Sequence, residues 1–187
     1  MKRTLQKGFT LIELLIVVGI ISLLLVVLAV AVLPALSQGD EKATVSLLQQ
    51  VGPEITSRTP APTIKQFKRD VGSGSARISS DEKTALSQMM LFYLAPSRSV
   101  WESSELYKGQ NYNPKLQPEE FAEFTIDEGG QMPYLVDAWE KPIWFEYDSR
   151  TKSGYVFSRG PDNLENTPDD FIFDSRNAKV VKREDIE

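Results

Sequence analysis

The 187-residue sequence contains no cysteine and no histidine. Without cysteine there are no disulfides and no thiolate metal sites, and the redox compartment is left open. Without histidine, Ser-His-Asp and Cys-His catalysis are excluded, as is every imidazole metal site. Positive charge is also scarce: 21 Lys and Arg stand against 26 Asp and Glu, a net charge of −5. Three of the bases, Lys2, Arg3 and Lys7, sit at the very start, so the rest of the chain is more acidic still. Such a surface lacks the basic patches that nucleic acids require. No internal repeat is evident.

What the sequence does have is a single long apolar run. From Leu14 to Leu33, about 20 residues, only Gly19 and Ser22 interrupt it. As a helix it is about 30 Å long, the thickness of a hydrocarbon core. No second stretch approaches this length, so one crossing of a membrane is expected. The basic flank of Lys2, Arg3 and Lys7 should stay cytoplasmic, which places the C-terminal bulk on the far side. One residue sits oddly. Glu13 stands at the front of the run, where a carboxylate costs several kcal/mol unless it is solvated at the headgroups or paired.

An ordinary secretory signal ends in a small-residue cleavage site, but here Ala29-Val30-Ala31 lies inside the apolar run. Instead, Gly8 and Phe9 join the short basic leader to it. The stretch KGFTLIELLIVVGII, from Lys7 to Ile21, closely resembles the type III signal of type IV pilins and type II secretion pseudopilins. The resemblance implies cleavage by a prepilin peptidase after Gly8 and methylation of the new N-terminus, Phe9. It also gives Glu13 a partner: the amine of a neighbouring subunit, a pairing that low dielectric strengthens. An acid in the first turn further suits the helix dipole.

Beyond the membrane the helix is expected to continue past Pro34, with Leu36, Ala43, Leu47 and Val51 on one face, and to stop at Gly52-Pro53. Residues 55–80, with TPAPT and VGSGSA, read as an extended connection. Ser79 and Glu82 form a candidate capping box for a helix through ALSQMMLFYL, in which Met89, Met90 and Phe92 are core residues. Residues 97–118 are poorly patterned, and QPEEFAEF supplies a helical turn or two. IWFEY alternates Ile143, Phe145 and Tyr147 against Trp144 and Glu146, as a strand would. GYVFS and FIF read as two more strands, and the charged tail from Asp174 as frayed. The expected fold class is α+β and pilin-like, a long N-terminal helix packed on a small C-terminal antiparallel sheet. Its parts are a leader at 1–8, a transmembrane and assembly helix at 9–36, an amphipathic continuation at 37–54, and an extracytoplasmic globular domain at 55–187.

Between the last two expected strands lies SRGPDNLENTPDDF. Its Gly, Pro, Asn and Asp suit a solvated turn-rich loop. They also suit a calcium site, because hard cations take six to eight carboxylate and carbonyl oxygens. Asp162, Asp169 and Asp170 supply carboxylates and Thr167 a hydroxyl. The pattern is not an EF-hand, since alternating acids, a central glycine and a closing glutamate are missing. The stretch is similar to the calcium loop of the major pseudopilin of type II secretion, with Ser158, Gly160 and Asp162 at its start and Asp169-Asp170 at its close. That resemblance adds the carbonyls of Arg159 and Leu164 to the ligand set. DAWEKP, from Asp137 to Pro142, resembles the same family's Asp-Pro-Trp-Gly-x-Pro segment, from which Ala138 and Glu140 depart.

The expected function is structural. The chain reads as a pseudopilin, polymerising alone or with other pseudopilins into a short periplasmic filament that drives export by a type II secretion system. The alternative is a type IV pilus subunit for adhesion, motility or DNA uptake. The resemblance implies anchorage in a bacterial inner membrane by one pass, with the C-terminal domain periplasmic. It further implies contact with a prepilin peptidase and the secretion platform, and no nucleic acid is expected. Paired carboxylates can do acid-base chemistry without histidine, but the acids here cluster in one loop with no cleft-forming segments, so no enzyme is expected.

Overall fold

The apolar run folds as a helix because a bilayer leaves its backbone no other way to satisfy every polar group. In the computed structural model, which describes residues 10–107 and 110–185, helix α1 is Leu11–Thr56. The chain divides into two compact units, Met1–Gly39 and Asp40–Glu187. In the first, Leu11–Val30 is long and apolar enough to cross a membrane, and none of it is buried inside the protein.

In the second unit, α1 presents Leu47, Leu48, Val51 and Ile55, each no more than 1% exposed, a stripe at helical spacing. The expected stop at Gly52-Pro53 is overrun by a turn. Gly52 lies so close to the Phe173 ring that any Cβ there would overlap it, and Ile55 beyond it is wholly buried. Packing thus overrides the local cost of proline in a helix. The Thr56 hydroxyl closes the helix by donating to the Gly52 carbonyl at 2.8 Å.

The stretch expected to be an extended connection is largely helical. Thr63 caps α2 (Ile64–Val71), whose Phe67 and Val71 are buried, and Gly72 ends it at φ 68°. A 3-10 helix, Gly72–Arg77, follows. Helix α3 (Glu82–Leu94) is capped by Asp81, which accepts from Thr84. The capping box expected of Ser79 and Glu82 is therefore replaced by a simple cap two residues on; the Ser79 hydroxyl accepts from the Asp81 N–H instead. Every residue of α3 from Ser87 to Leu94 is buried, including the expected core residues Met89, Met90 and Phe92. Its polar members are satisfied, as burial requires: Ser87 donates to the Leu135 carbonyl and Gln88 to that of Met132, both at 2.6 Å. A short helix, α4 (Arg98–Ser103), follows, then a 3-10 helix, Pro118–Phe124, where QPEEFAEF was expected to turn.

Strands β1 (Thr125–Ile126) and β2 (Tyr134–Leu135) form a two-stranded pair. The main sheet comprises β3 (Trp144–Asp148), β4 (Ser153–Ser158), β5 (Phe171–Asp174) and β6 (Lys179–Lys182), all antiparallel in chain order. It has four strands and not three. The tail read as frayed supplies β6, because Val180 and Val181 pair with Phe173 and Ile172. The register aligns Phe145, Val156 and Phe173, all buried in the core that α1 covers. Trp144, Phe157 and Ile172 line the other face, with Trp144 stacked on Phe157 at 5.4 Å. Alternation in IWFEY therefore holds for position but not for burial. Trp144 is buried, while Tyr147, at the strand end, is 45% exposed. The fold is α+β, with an apolar N-terminal helix, further helices and a small antiparallel sheet.

Candidate functional site

Two places carry the expected function, and each is built differently. Gly8 and Phe9, where cleavage and methylation are expected, lie outside the described residues. Glu13 does not. Its carboxylate accepts from the Thr10 N–H at 2.8 Å and the Thr10 hydroxyl at 2.7 Å, while its own N–H donates to that hydroxyl at 3.3 Å. This is a reciprocal capping box. The sequence carries this signal as Thr-Leu-Ile-Glu, Thr10 to Glu13. Within one chain, Glu13 thus already has a partner at its own helix end.

The aspartate loop joins β4 to β5, and its shape is set by residues that tolerate left-handed backbone. Gly160 has φ 65°, and a Cβ there would collide with the Asp169 carbonyl. Asn163 and Asn166 take φ 58° and 68°, a conformation asparagine adopts at little cost. The Thr167 hydroxyl is the hub. It lies 3.4 Å from Asp162 Oδ1, 3.3 Å from the Leu164 carbonyl and 3.1 Å from Asp170 Oδ1. Asp162 Oδ1 also accepts from the Leu164 N–H at 2.8 Å, and Asp170 Oδ2 from the Asn166 N–H at 2.8 Å.

Of the expected ligands, Asp162, Leu164, Thr167 and Asp170 are therefore brought together. Asp169 borders this set, its carboxylate accepting from the Asp162 N–H at 3.3 Å and from the Thr167 side chain. Burial would raise its carboxyl, but hydrogen bonds from Thr167 and backbone N–H groups outweigh this and hold it below the usual carboxylate range. The Arg159 side chain pairs with Glu165 at 2.5 Å. Among the described residues, no three acids are gathered closely enough to hold a metal ion by carboxylates alone. The hub is instead a mixed set of two carboxylates, a carbonyl and a hydroxyl. These oxygens fit calcium in kind, and a full shell needs more of them.

The loop is anchored at both ends by residues outside it. At its start, the Ser158 hydroxyl donates to Asp137 Oδ2 at 2.6 Å and accepts from the Gly160 N–H. Asp137 Oδ1 accepts from the Trp139 and Lys141 N–H groups, and the Ala138 N–H donates to Thr44 of α1. DAWEKP and the loop, two separate stretches in the sequence, are thus hydrogen-bonded to each other. Burial pushes the Asp137 carboxyl up, against those hydrogen bonds. Lys83 of α3 sits 3.8 Å from Glu165 and 2.8 Å from Glu146 of β3, tying the middle of the loop to the sheet. At its close, Arg183 reaches Asp170 at 3.5 Å. Lys83, Glu165 and Arg183 were missed in the sequence, because long-range ion pairs leave no local pattern.

Residues 3–32 match the model of the prokaryotic N-terminal methylation motif. No curated protein and no solved structure matches the chain. The motif implies processing by a prepilin peptidase and assembly into a filament. The chain therefore carries the signal of type IV pilin-like subunits on the one helix, among the described residues, that is long and apolar enough to anchor it in a membrane.

Proposed function

We propose that this protein is a pseudopilin, a non-catalytic subunit that polymerises through α1 into a short periplasmic filament driving export by a type II secretion system. The observation that carries this reading is the methylation motif at residues 3–32 on a membrane-crossing helix. The loop from Ser158 to Asp170, hydrogen-bonded through Ser158 to the DAWEKP turn, favours the secretion branch over the pilus branch. Both stretches resemble the major pseudopilin, and here they form one structure. The single pass would hold the second unit on the periplasmic side of the inner membrane, within reach of the secretion platform.

In this reading the loop holds a structural calcium ion. Asp162, Asp170, Thr167 and the Leu164 carbonyl would provide oxygens, with Asp169 and the Arg159 carbonyl as further donors. The ion would neutralise carboxylates that otherwise repel one another. Deleting the protein in its host tests the function. Loss of protein export with twitching and DNA uptake intact is the expected result. Intact export with lost motility or uptake would move the chain to the pilus class.

A further inference from the structure

Asp170 already has a cation beside it. It is 4% exposed, and a buried carboxylate must be paired or neutralised. Arg183 Nη1 lies 3.5 Å from its Oδ2. The backbone holds this arrangement in place. The Arg183 N–H donates to the Asp170 carbonyl at 2.9 Å, and the Glu184 N–H to the Pro168 carbonyl at 3.4 Å. Strand β6 delivers Arg183 to this position, since its register with β5 sets Lys182 opposite Phe171. The other oxygen of Asp170 faces the Thr167 hub. One carboxylate thus stands between the hub and an arginine.

We propose that Arg183 is the resident counter-cation of the aspartate loop, and that an ion entering the Thr167 hub must displace it from Asp170. The inference rests on the calcium reading above. A guanidinium and a divalent ion a few ångströms apart on the same carboxylate repel strongly, because the carboxylate is screened from water. Arg183 then has two effects. It keeps the loop folded when calcium is absent, and it weakens calcium affinity, so the site responds to calcium concentration instead of remaining saturated. The side chain is free to leave: that of Arg183 is 37% exposed, whereas that of Asp170 is buried.

Calcium titration of the full chain in detergent micelles tests this, with wild type, Arg183→Gln and Arg183→Lys compared. Arg183→Gln should bind calcium about tenfold more tightly, the scale of removing one nearby unit charge, and should melt lower than wild type in chelator. Arg183→Lys, which keeps the charge, should stay near wild type. Equal or weaker binding by Arg183→Gln, with wild type still binding, would overturn the displacement and leave the calcium reading standing. No binding by any variant would overturn both. A second measurement needs no variant. Calcium should raise the reactivity of Arg183 in the wild-type chain towards an arginine-specific dicarbonyl reagent, read by peptide mass. Unchanged reactivity under saturating calcium would again sink the proposal.

Discussion

The two ends of this chain store information in opposite ways. In Leu11–Val30 it lies in composition: about twenty apolar residues leave a membrane-crossing helix as the outcome. Almost any Leu, Ile or Val could replace another there. In the aspartate loop it lies in individual atoms. Gly160 admits no Cβ, Thr167 holds three oxygens, and Asp137 answers to Ser158 across 21 positions. The first region should tolerate substitution everywhere but at Glu13. The second should tolerate far less.

Glu13 is the sharpest break in that contrast, because it is an atom-specific residue inside a compositional segment. It has two candidate duties: capping its own helix through Thr10, or pairing with a neighbour's amine. Glu13→Gln separates them, since its amide oxygen can still accept from Thr10 but carries no charge. If pairing matters, Glu13→Gln and Glu13→Ala should both insert into the membrane and both lose assembly, by at least an order of magnitude in cross-linked polymer. Thr10→Ala should cost only about 1 kcal/mol of helix stability, the usual value of a cap. Normal assembly by Glu13→Gln would assign the residue to capping alone.

Asp137 tests the second region. Replacing it by Ala leaves the Trp139 and Lys141 N–H groups and the Ser158 hydroxyl without their acceptor in a buried place. A loss of about 3 kcal/mol is expected from denaturant melts. Asp137→Asn keeps most of the geometry and should cost about 1 kcal/mol at neutral pH. The pH profile distinguishes charge from shape. Burial raises the folded carboxyl above its unfolded value, which is about 4. Its contribution to stability is therefore fully present below about pH 4 and is lost as pH rises through the folded value. Asp137→Asn should flatten that part of the profile; an unchanged slope would mean that another group titrates there.

How far each region was legible in the sequence follows from the same contrast. The span, the amphipathic stripe of Leu47 and Val51, and three of four sheet strands could be read because they rest on periodicity. The helix end at Thr56 could not, since the contact of Gly52 with Phe173 lies far away in sequence. Strand β6 was hidden because Lys179 and Lys182 flank only two valines, and a short edge strand needs β5 beside it to form. In the loop, the turn-forming residues were legible but not the arrangement of its oxygens. Nothing local says that Asp170 meets both Thr167 and Arg183.

Calcium measures how much of the loop's order is supplied by the protein alone. If an ion binds only the folded chain, a hundredfold excess over Kd adds about 2.7 kcal/mol. The full chain in micelles should melt higher with calcium than with chelator. Asp162→Ala should erase most of that difference, whereas Asp127→Ala, outside the loop, should not. Magnesium should substitute poorly, given its demand for tight octahedral geometry. Identical curves with calcium and chelator would mean that the Thr167 hub and Arg183 suffice without an ion.

The smallest effect probes a place where composition and geometry disagree. Glu140 stands where the pseudopilin segment that DAWEKP resembles has a glycine, and the backbone here suits a glycine at that position. Its φ is 60°, in the left-handed region that costs a residue with a Cβ roughly 1 kcal/mol. The turn enforces this conformation, because the Glu140 N–H donates to the Asp137 carbonyl and the Asp137 N–H donates to the Lys141 carbonyl. Glu140→Gly removes the strain in the folded chain but adds freedom to the unfolded one. Strain relief should win narrowly, raising stability by about 0.5 kcal/mol in denaturant melts at unchanged m-value. Glu140→Ala keeps the Cβ and gains no relief, so it should sit at or below wild type. If Ala and Gly stabilised equally, the benefit would come from removing the carboxylate, and the backbone argument would be wrong.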